Sequence, residues 1–219
     1  MRNQEKDTVE MAAKREKILE AGFHLFSRKS ISSVTMNDVA NACKLGIATV
    51  YRYYKSKPTL VLAIATWVWD SYIQENMRLL EETRKEGDSA VDRYEFFIDT
   101  FLNLYRNRKE MLRFNQLFNI YVRSEKVPED ELSAYKQMIG KISLVFQQTV
   151  LKGQEDGTIR KDIPGETIFS TTLHLILAAT TRYAFGLVYT PEGEAEEERE
   201  LLLLKRMLVT EFTTPRVQM

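Results

Sequence analysis

The stretch GIATVYRYYKSKPTL, residues 46 to 60, concentrates side chains that can bind phosphate. Tyr51 and Tyr53 carry hydroxyl groups at the reach of phosphate oxygens, and Lys55 supplies positive charge beside them. Arg52 lies between the tyrosines, and a guanidinium can donate a pair of hydrogen bonds to a guanine edge. The clustering is explained if the ligand is a polyanion. The alternative is that the tyrosines are half-buried packing residues and the lysines belong to a solvated turn.

The formal charges of the chain cancel, but they are unevenly distributed. Residues 1–60 hold 11 Lys and Arg against 6 Asp and Glu, whereas residues 61–219 hold 20 against 25. A basic N-terminal part on an acidic body is a weak indication that a polyanion binds at the N-terminal end.

The composition is that of a folded protein with a sizeable core. The chain has 219 residues, of which 44% are hydrophobic and 28% are charged. Its single cysteine, Cys43, cannot form an intrachain disulfide, and the N-terminus has no apolar run typical of a signal peptide. We therefore expect a cytoplasmic protein.

Apolar residues recur at intervals of three and four, which predicts an all-α fold. Five prolines and nine glycines divide the chain into about nine helices. The predicted helices cover about residues 8–28, 36–43, 47–54, 58–86, 88–106 with Asp88 as the cap, 110–123, 128–155, 164–187 and 191–212.

The second and third predicted helices are short and joined by a tight turn, which is typical of a helix-turn-helix. In that motif the second helix enters the major groove. Thr35 and Asp38 have the spacing of a capping box at the start of the first short helix. Helical periodicity places Val39, Ala40, Val50 and Tyr54 toward the core, and Ala48, Thr49, Tyr51, Arg52 and Tyr53 on or near the outer surface.

From Ile18 to Leu60 the chain resembles the N-terminal domain of the tetracycline-repressor (TetR) family of bacterial regulators. The resemblance rests on three motifs. They are IL.A...LF at residues 18–26, Thr35 followed by DVA at residues 38–40, and TVYRYYKSKPTL at residues 49–60.

The resemblance implies a role for each matching residue of the helix-turn-helix. Ala48, Thr49 and Arg52 are expected to face the groove. Tyr51, Tyr53 and Lys55 are expected to contact the DNA backbone, with Thr35 near a further phosphate. Lys57 is expected to support the start of the following long helix rather than to touch DNA.

The chain departs from the family pattern in the turn between the short helices. Lys44 stands where the family usually has glycine, so we expect a left-handed lysine with a strain of about 1 kcal/mol. Gly46 stands where a serine often caps the recognition helix, and glycine is an acceptable cap. Ile47 replaces a frequently polar residue, and it either contacts a thymine methyl group or packs internally.

The resemblance also implies a two-domain homodimer that binds a palindromic operator. We predict a DNA-binding domain at residues 1–57 and an effector-binding and dimerisation domain of about six helices at residues 58–219. The dimer contact is expected on the last two helices, where Leu201, Leu204, Leu208 and Phe212 recur at helical spacing. The alternative is that both helices only complete the core of one chain.

Aromatic residues of the middle helices are candidates for an effector pocket, because the family usually holds a small-molecule effector in its helical body. We predict an apolar or aromatic effector. The predicted contacts are Phe101, Tyr105, Phe114, Phe118 and Tyr121, with His174 and Arg182 as polar partners. An aromatic stripe at this spacing can equally be plain core.

The resulting hypothesis is a ligand-responsive transcriptional regulator, with repression as the default outcome. No P-loop, dinucleotide glycine pattern, HExxH or paired Glu-x-x-His motif is present in the sequence. We therefore predict neither an enzyme nor a cofactor or metal. A helical protein-interaction adaptor is the alternative, but an adaptor does not need Lys55 beside Tyr51 and Tyr53.

Overall fold

The computed structural model describes residues 2–83, 87–186 and 194–214. Within these ranges it contains nine α-helices and one 3-10 helix. The α-helices are α1 (Arg2–Phe26), α2 (Met36–Ala42), α3 (Ile47–Tyr53), α4 (Lys57–Glu82), α5 (Ala90–Asn107), α6 (Lys109–Ser124), α7 (Ser133–Asp156), α8 (Gly165–Phe185) and α9 (Glu194–Phe212). The 3-10 helix is Ile31–Ser33.

The all-α prediction is confirmed. In the described ranges, β-type pairing is limited to one isolated antiparallel β-bridge between Ile159 and Thr213. No helix among these residues is both long and apolar enough to cross a membrane. The predicted helix limits at residues 86, 187 and 191 lie outside the described residues.

Three predicted helix starts are wrong, and the first of these is that of α1, which begins at Arg2 rather than near residue 8. Ser89, not Asp88, caps α5, because its side chain accepts a hydrogen bond from the backbone N–H of Asp92 and the Asp92 carboxylate accepts one from the backbone N–H of Ser89. The helix predicted from Pro128 begins only at Ser133, after a turn. Proline suits a turn as well as the first turn of a helix, so its presence does not distinguish the two.

The chain divides into two compact units. One comprises Met1–Ser71 and Arg113–Met138, and the other comprises Tyr72–Leu112 and Ile139–Met219. Helices α4, α6 and α7 therefore contribute residues to both units. The functional boundary at residues 57 and 58 stays a prediction.

The first unit has its core where α1 to α4 meet. Ile18, Val39, Val50 and Ile64 are fully buried. Gly22 allows α1 to touch α4 directly, since a Cβ atom at this position would lie 2.5 Å from Cδ1 of Ile64. Close packing of these helices holds the helix-turn-helix in place.

The second unit is built on α5, α8 and α9, which pack against one another. The buried hydroxyl groups of Tyr94 and Thr172 are hydrogen-bonded at 2.8 Å between α5 and α8. The Lys205 ammonium on α9 contacts the Asp99 carboxylate on α5 at 2.8 Å. Polar contacts thus supplement the apolar packing of this unit.

Candidate nucleic-acid interface

The start of α2 has the predicted capping box. The Asp38 backbone N–H donates to Oγ1 of Thr35 at 3.1 Å, and the Thr35 backbone N–H donates to Oδ2 of Asp38 at 2.7 Å. The Thr35 hydroxyl also donates to Oδ2 of Asp38 at 2.7 Å, and this bond, together with the one from the Thr35 N–H, lowers the pKa of the Asp38 carboxyl below its usual value. Thr35 is exposed, so its capping role leaves the start of α2 open to solvent.

The turn after α2 has the left-handed lysine that the sequence predicts. Lys44 has φ of 54°. Its N–H donates to the Asn41 carbonyl at 3.1 Å, and the Leu45 N–H donates to the Ala40 carbonyl at 3.0 Å. This pair of bonds is a Schellman motif, which ends α2 and redirects the chain into α3.

The recognition helix α3 begins at an open N-cap. Gly46 has extended backbone angles and provides no side-chain hydrogen bond to the helix. A Cβ atom at this position would meet nothing within 4 Å. The beginning of α3 is therefore accessible to a large partner.

The two faces of α3 separate as periodicity predicts. Val50 and the C-cap residue Tyr54 are buried. Ala48 and Arg52 are exposed, and 48% of the Tyr51 side chain is accessible. Ile47 and Lys55 are also exposed, while Thr49 is half-buried.

Tyr53 differs from Tyr51 in the placement of its hydroxyl group. The Tyr53 hydroxyl oxygen is buried and has no hydrogen-bond partner among the described residues. The Arg52 guanidinium carbon lies 5.6 Å from the centre of the Tyr53 ring. A phosphate contact through Tyr53 requires its ring to turn outward, whereas Tyr51 requires no such change.

Lys57 is half-buried and contacts other residues of the first unit, and its supporting role at the start of α4 stays a prediction. Its ammonium donates to the Ser32 carbonyl at 3.0 Å and lies 5.7 Å from the centre of the Tyr121 ring. Burial lowers the pKa of Lys57, and the nearby Glu125 carboxylate opposes this shift. The 3-10 helix that accepts this bond is absent from the sequence-based prediction.

Arg15 is a contact of the recognition helix that the sequence does not reveal. Nε of Arg15 donates to the Tyr54 hydroxyl at 3.3 Å, and its guanidinium carbon lies 6.0 Å from the centre of the Tyr54 ring. The two residues are 39 positions apart, so no local spacing links them.

Residues 18–64 match the family model described as bacterial regulatory proteins, tetR family. The match covers 47 of the 219 residues and includes the whole helix-turn-helix. A curated relative in this comparison is an uncharacterized HTH-type transcriptional regulator, YuxN, of Bacillus subtilis (strain 168). It is 26% identical over 84 residues, which are 38% of this chain and 28% of the relative. The match thus spans less than a third of that relative's length.

Solved structures of transcriptional regulators have the same fold over most of the chain. A putative regulator of Saccharomonospora viridis in complex with choline has a TM-score of 0.73 and 16% identity, and the match covers 93% of this chain and 100% of that one. The ketosteroid regulator KstR2 of Mycobacterium tuberculosis has a TM-score of 0.67 and 13% identity, covering 92% and 95% respectively. At these identities the likeness shows the fold alone.

Three of the residues predicted to bind an effector lie in the first unit. Phe114 and Phe118 are buried and stacked, with ring centroids 6.1 Å apart. Phe118 also lies 4.9 Å from the Tyr135 ring. Tyr121 is buried beneath the Lys57 ammonium. These side chains form part of an aromatic core.

The other four predicted effector residues lie in the second unit. Phe101 is buried, and its ring centroid lies 5.3 Å from that of Phe97. The Tyr105 hydroxyl donates to the buried carboxylate of Glu197. The remaining two, His174 and Arg182, are exposed on α8. Their assignment to a tetR-type effector pocket stays a prediction.

The described residues contain no group of three or more His, Cys, Asp or Glu side chains placed to hold a metal ion. Cavities do occur among these residues. One lies within the first unit between α1, α4 and the start of α7, and another lies between α8 and α9 in the second unit. None of the seven predicted effector residues lines either cavity.

Proposed function

We propose that this chain is a transcriptional repressor that binds a palindromic operator as a homodimer and responds to a small-molecule effector. The observation that carries the proposal is the exposed face of α3, with Ala48, Tyr51 and Arg52 accessible on a helix-turn-helix that matches the tetR family model. Arg52 supplies a donor pair for a guanine edge, and Tyr51 supplies a hydroxyl for a phosphate. Action on chromosomal DNA implies a cytoplasmic location. The proposed DNA-binding domain is residues 1–57.

Operator binding is tested by titrating the protein with DNA from upstream of its own gene, with random DNA as competitor. We expect selective binding that weakens as salt rises. Arg52→Ala should weaken specific binding by about 1–3 kcal/mol, because it removes the base contact. Arg78→Ala is the matched control, since Arg78 is an exposed arginine on α4 outside the helix-turn-helix.

If the protein does not bind the upstream fragment selectively, its binding sites should be selected from fragments of the whole genome. If no fragment is selected over random DNA, the regulator proposal fails and the adaptor alternative replaces it.

The second unit carries an apolar surface suited to the proposed dimer. Leu175 on α8 and Leu203 and Met207 on α9 are large apolar side chains left 46–60% exposed. They line a cavity of about 640 Å³ between the two helices. A contiguous exposed apolar surface of this kind is typical of an interface.

Dimerisation is tested by sedimentation analysis of Met207→Glu. The buried charge should shift the protein from dimer to monomer and abolish cooperative operator binding. Leu144→Glu on α7 is the control, because Leu144 is equally exposed but lies outside this surface. A dimer unaffected by Met207→Glu would place the interface elsewhere.

The effector proposal is supported by the family and by one solved neighbour whose structure contains choline. We propose residues 58–219 as the effector-binding and dimerisation domain, with an apolar or aromatic effector.

In the proposed mechanism, the effector prefers one orientation of α4 and thereby changes the separation of the two recognition helices. A thermal-shift screen of small apolar compounds, followed by operator release, tests it. Compounds that raise the melting temperature without affecting operator affinity would contradict it.

A further inference from the structure

The groove in the first unit lies beside the helix-turn-helix and is separate from every residue assigned above to an effector. It has a volume of about 520 Å³ and is bordered by α1, the first half of α4 and the start of α7. This volume is within the range of small-molecule sites. Leu19 and Leu62 provide part of its apolar lining. The groove can therefore hold a compound with an apolar body.

The charged side chains of the groove are mostly negative. Glu16 on α1, Asp70 on α4 and Glu131 in the turn before α7 contribute carboxylates from three elements of the fold. Arg15 contributes the guanidinium that lines the groove, and this group also contacts Tyr54. Three carboxylates against one guanidinium create a negative potential, which favours a cation over an anion or a neutral compound.

Two aromatic side chains add a preference for a particular type of cation. Trp67 on α4 and Tyr135 on α7 both line the groove. Aromatic faces attract alkylammonium groups, and tryptophan does so most strongly. Burial raises the pKa of Tyr135 to about 12, so its hydroxyl remains neutral near pH 7.

We propose that this groove binds an organic cation with an apolar body, of the quaternary ammonium class. A metal ion is a poorer occupant, because it prefers a compact shell of oxygen ligands that an apolar groove does not supply. The charge of the ligand would lie among Glu16, Asp70 and Glu131, with Trp67 and Tyr135 against its alkyl groups.

Occupancy of the groove would also affect the recognition helix, and this part rests on the proposed function. A cation near Arg15 repels its guanidinium, which hydrogen-bonds to Tyr54 at the end of α3. Any ligand that weakens this contact changes operator affinity, and the operator must change ligand affinity by the same factor.

Calorimetric titration with benzyltrimethylammonium tests the site without DNA. The neutral comparison is 2,2-dimethyl-3-phenylpropan-1-ol, in which a quaternary carbon replaces the nitrogen and a hydroxymethyl group replaces one methyl group. We expect the cation to bind at least about tenfold more tightly, because only the cation gains the carboxylate and aromatic interactions. Equal binding of the two compounds, or no detectable binding of the cation, would overturn the proposal.

Variants of the full chain locate the bound cation. The double variant Glu16→Gln and Glu131→Gln, and separately Trp67→Leu, should each weaken binding by about threefold or more. Glu20→Gln is the control, because Glu20 is an exposed glutamate on α1 that does not line the groove. Circular dichroism confirms that each variant is folded. Wild-type affinity in both test variants would place the cation elsewhere and refute this site.

The link to DNA is measured separately as operator affinity with and without the cation. Arg15→Gln removes the positive charge of the lining, so the cation should bind more tightly, but its effect on operator affinity should be lost. A protein that binds the cation without recognising any operator would contradict the proposed function only. A protein that binds an operator but not the cation would contradict only the groove proposal.

Discussion

Tyr51 and Tyr53 are two residues apart on the recognition helix, yet their hydroxyl groups have different surroundings. The first is accessible, and the second is buried without a partner among the described residues. We expect Tyr51→Phe to weaken operator binding by about 1 kcal/mol, because a phosphate contact is lost. The measurement is a fluorescence anisotropy titration with operator DNA.

Tyr53→Phe provides the matched comparison. Removing a buried, unsatisfied hydroxyl should raise the free energy of unfolding by about 1 kcal/mol. Its effect on operator affinity tests the phosphate contact predicted from the family. If Tyr53→Phe weakens operator binding as much as Tyr51→Phe does, the Tyr53 ring must turn outward in the complex.

Lys44 places a β-carbon in a left-handed turn where the family usually has glycine. Lys44→Gly should stabilise the protein by about 1 kcal/mol, because glycine adopts this conformation without strain. Urea denaturation measures the change. Lys44→Ala removes the same charge but keeps the strain, so it should not stabilise. Equal gains in both variants would show that charge, not backbone conformation, is responsible.

The capping box of α2 makes a prediction about both stability and pH. Thr35→Ala should lower the free energy of unfolding by about 1 kcal/mol at pH 7. The pKa of Asp38 is lowered in the folded protein, so its contribution is present above its unfolded pKa of about 3.9 and is lost as pH falls through the folded value. The difference between wild type and variant should therefore shrink below about pH 4. A difference that is constant from pH 7 to pH 3 would contradict the contribution of the Asp38 carboxylate to the capping box.

Two glycines within α7 should respond oppositely to alanine. A Cβ atom at Gly153 would lie 2.9 Å from Cβ of the buried Ile159, so Gly153→Ala should destabilise the protein by about 1–3 kcal/mol. Gly140 has open space, so Gly140→Ala should stabilise it by up to about 1 kcal/mol. Thermal unfolding measures both. Destabilisation by Gly140→Ala would contradict the open environment at that position.

Local sequence signals predict most of the helices but not all of their ends. Thr35 with Asp38 correctly marks α2, since both partners of a capping box lie within one turn. The same logic, applied to Asp88 without its neighbour Ser89, selects the wrong cap for α5. Pro128 misleads because its fixed backbone angle suits a turn and a helix start equally. Where two neighbouring residues can each cap a helix, the packing of the folded protein determines which of them does so.

The candidate site is also only partly predictable. Periodicity alone predicts that Arg52 and Tyr51 are exposed and that Val50 is buried. The bond from Lys57 to the Ser32 carbonyl joins residues 25 positions apart, and the bond from Arg15 to Tyr54 spans 39. Such contacts depend on how the helices pack, which no local pattern encodes.

For the whole molecule, the uneven charge distribution predicts the salt dependence of operator binding. The basic residues lie in excess within residues 1–60, and Lys55 is exposed beside the recognition helix. Lys55→Gln should weaken binding to all DNA sequences alike and reduce the slope of log affinity against log salt by about one. Lys141→Gln on α7 is an exposed control and should leave the slope unchanged. A sequence-dependent loss at Lys55 would indicate a base contact instead.

The close approach of Gly22 to Ile64 has a mechanical consequence for α4. Because Gly22 lets the Ile64 side chain lie directly against the α1 backbone, this crossing can act as a fulcrum, and α4 extends about 10 Å from it toward Lys57 and about 27 Å toward Glu82. Treated as a rigid lever turning about this point, α4 reduces a stroke of about 2.5 Å at its far end to about 1 Å at its near end. The near end leads into the helix-turn-helix, so under the proposed function a larger movement at the far end of α4 becomes a smaller displacement at the proposed DNA-binding face.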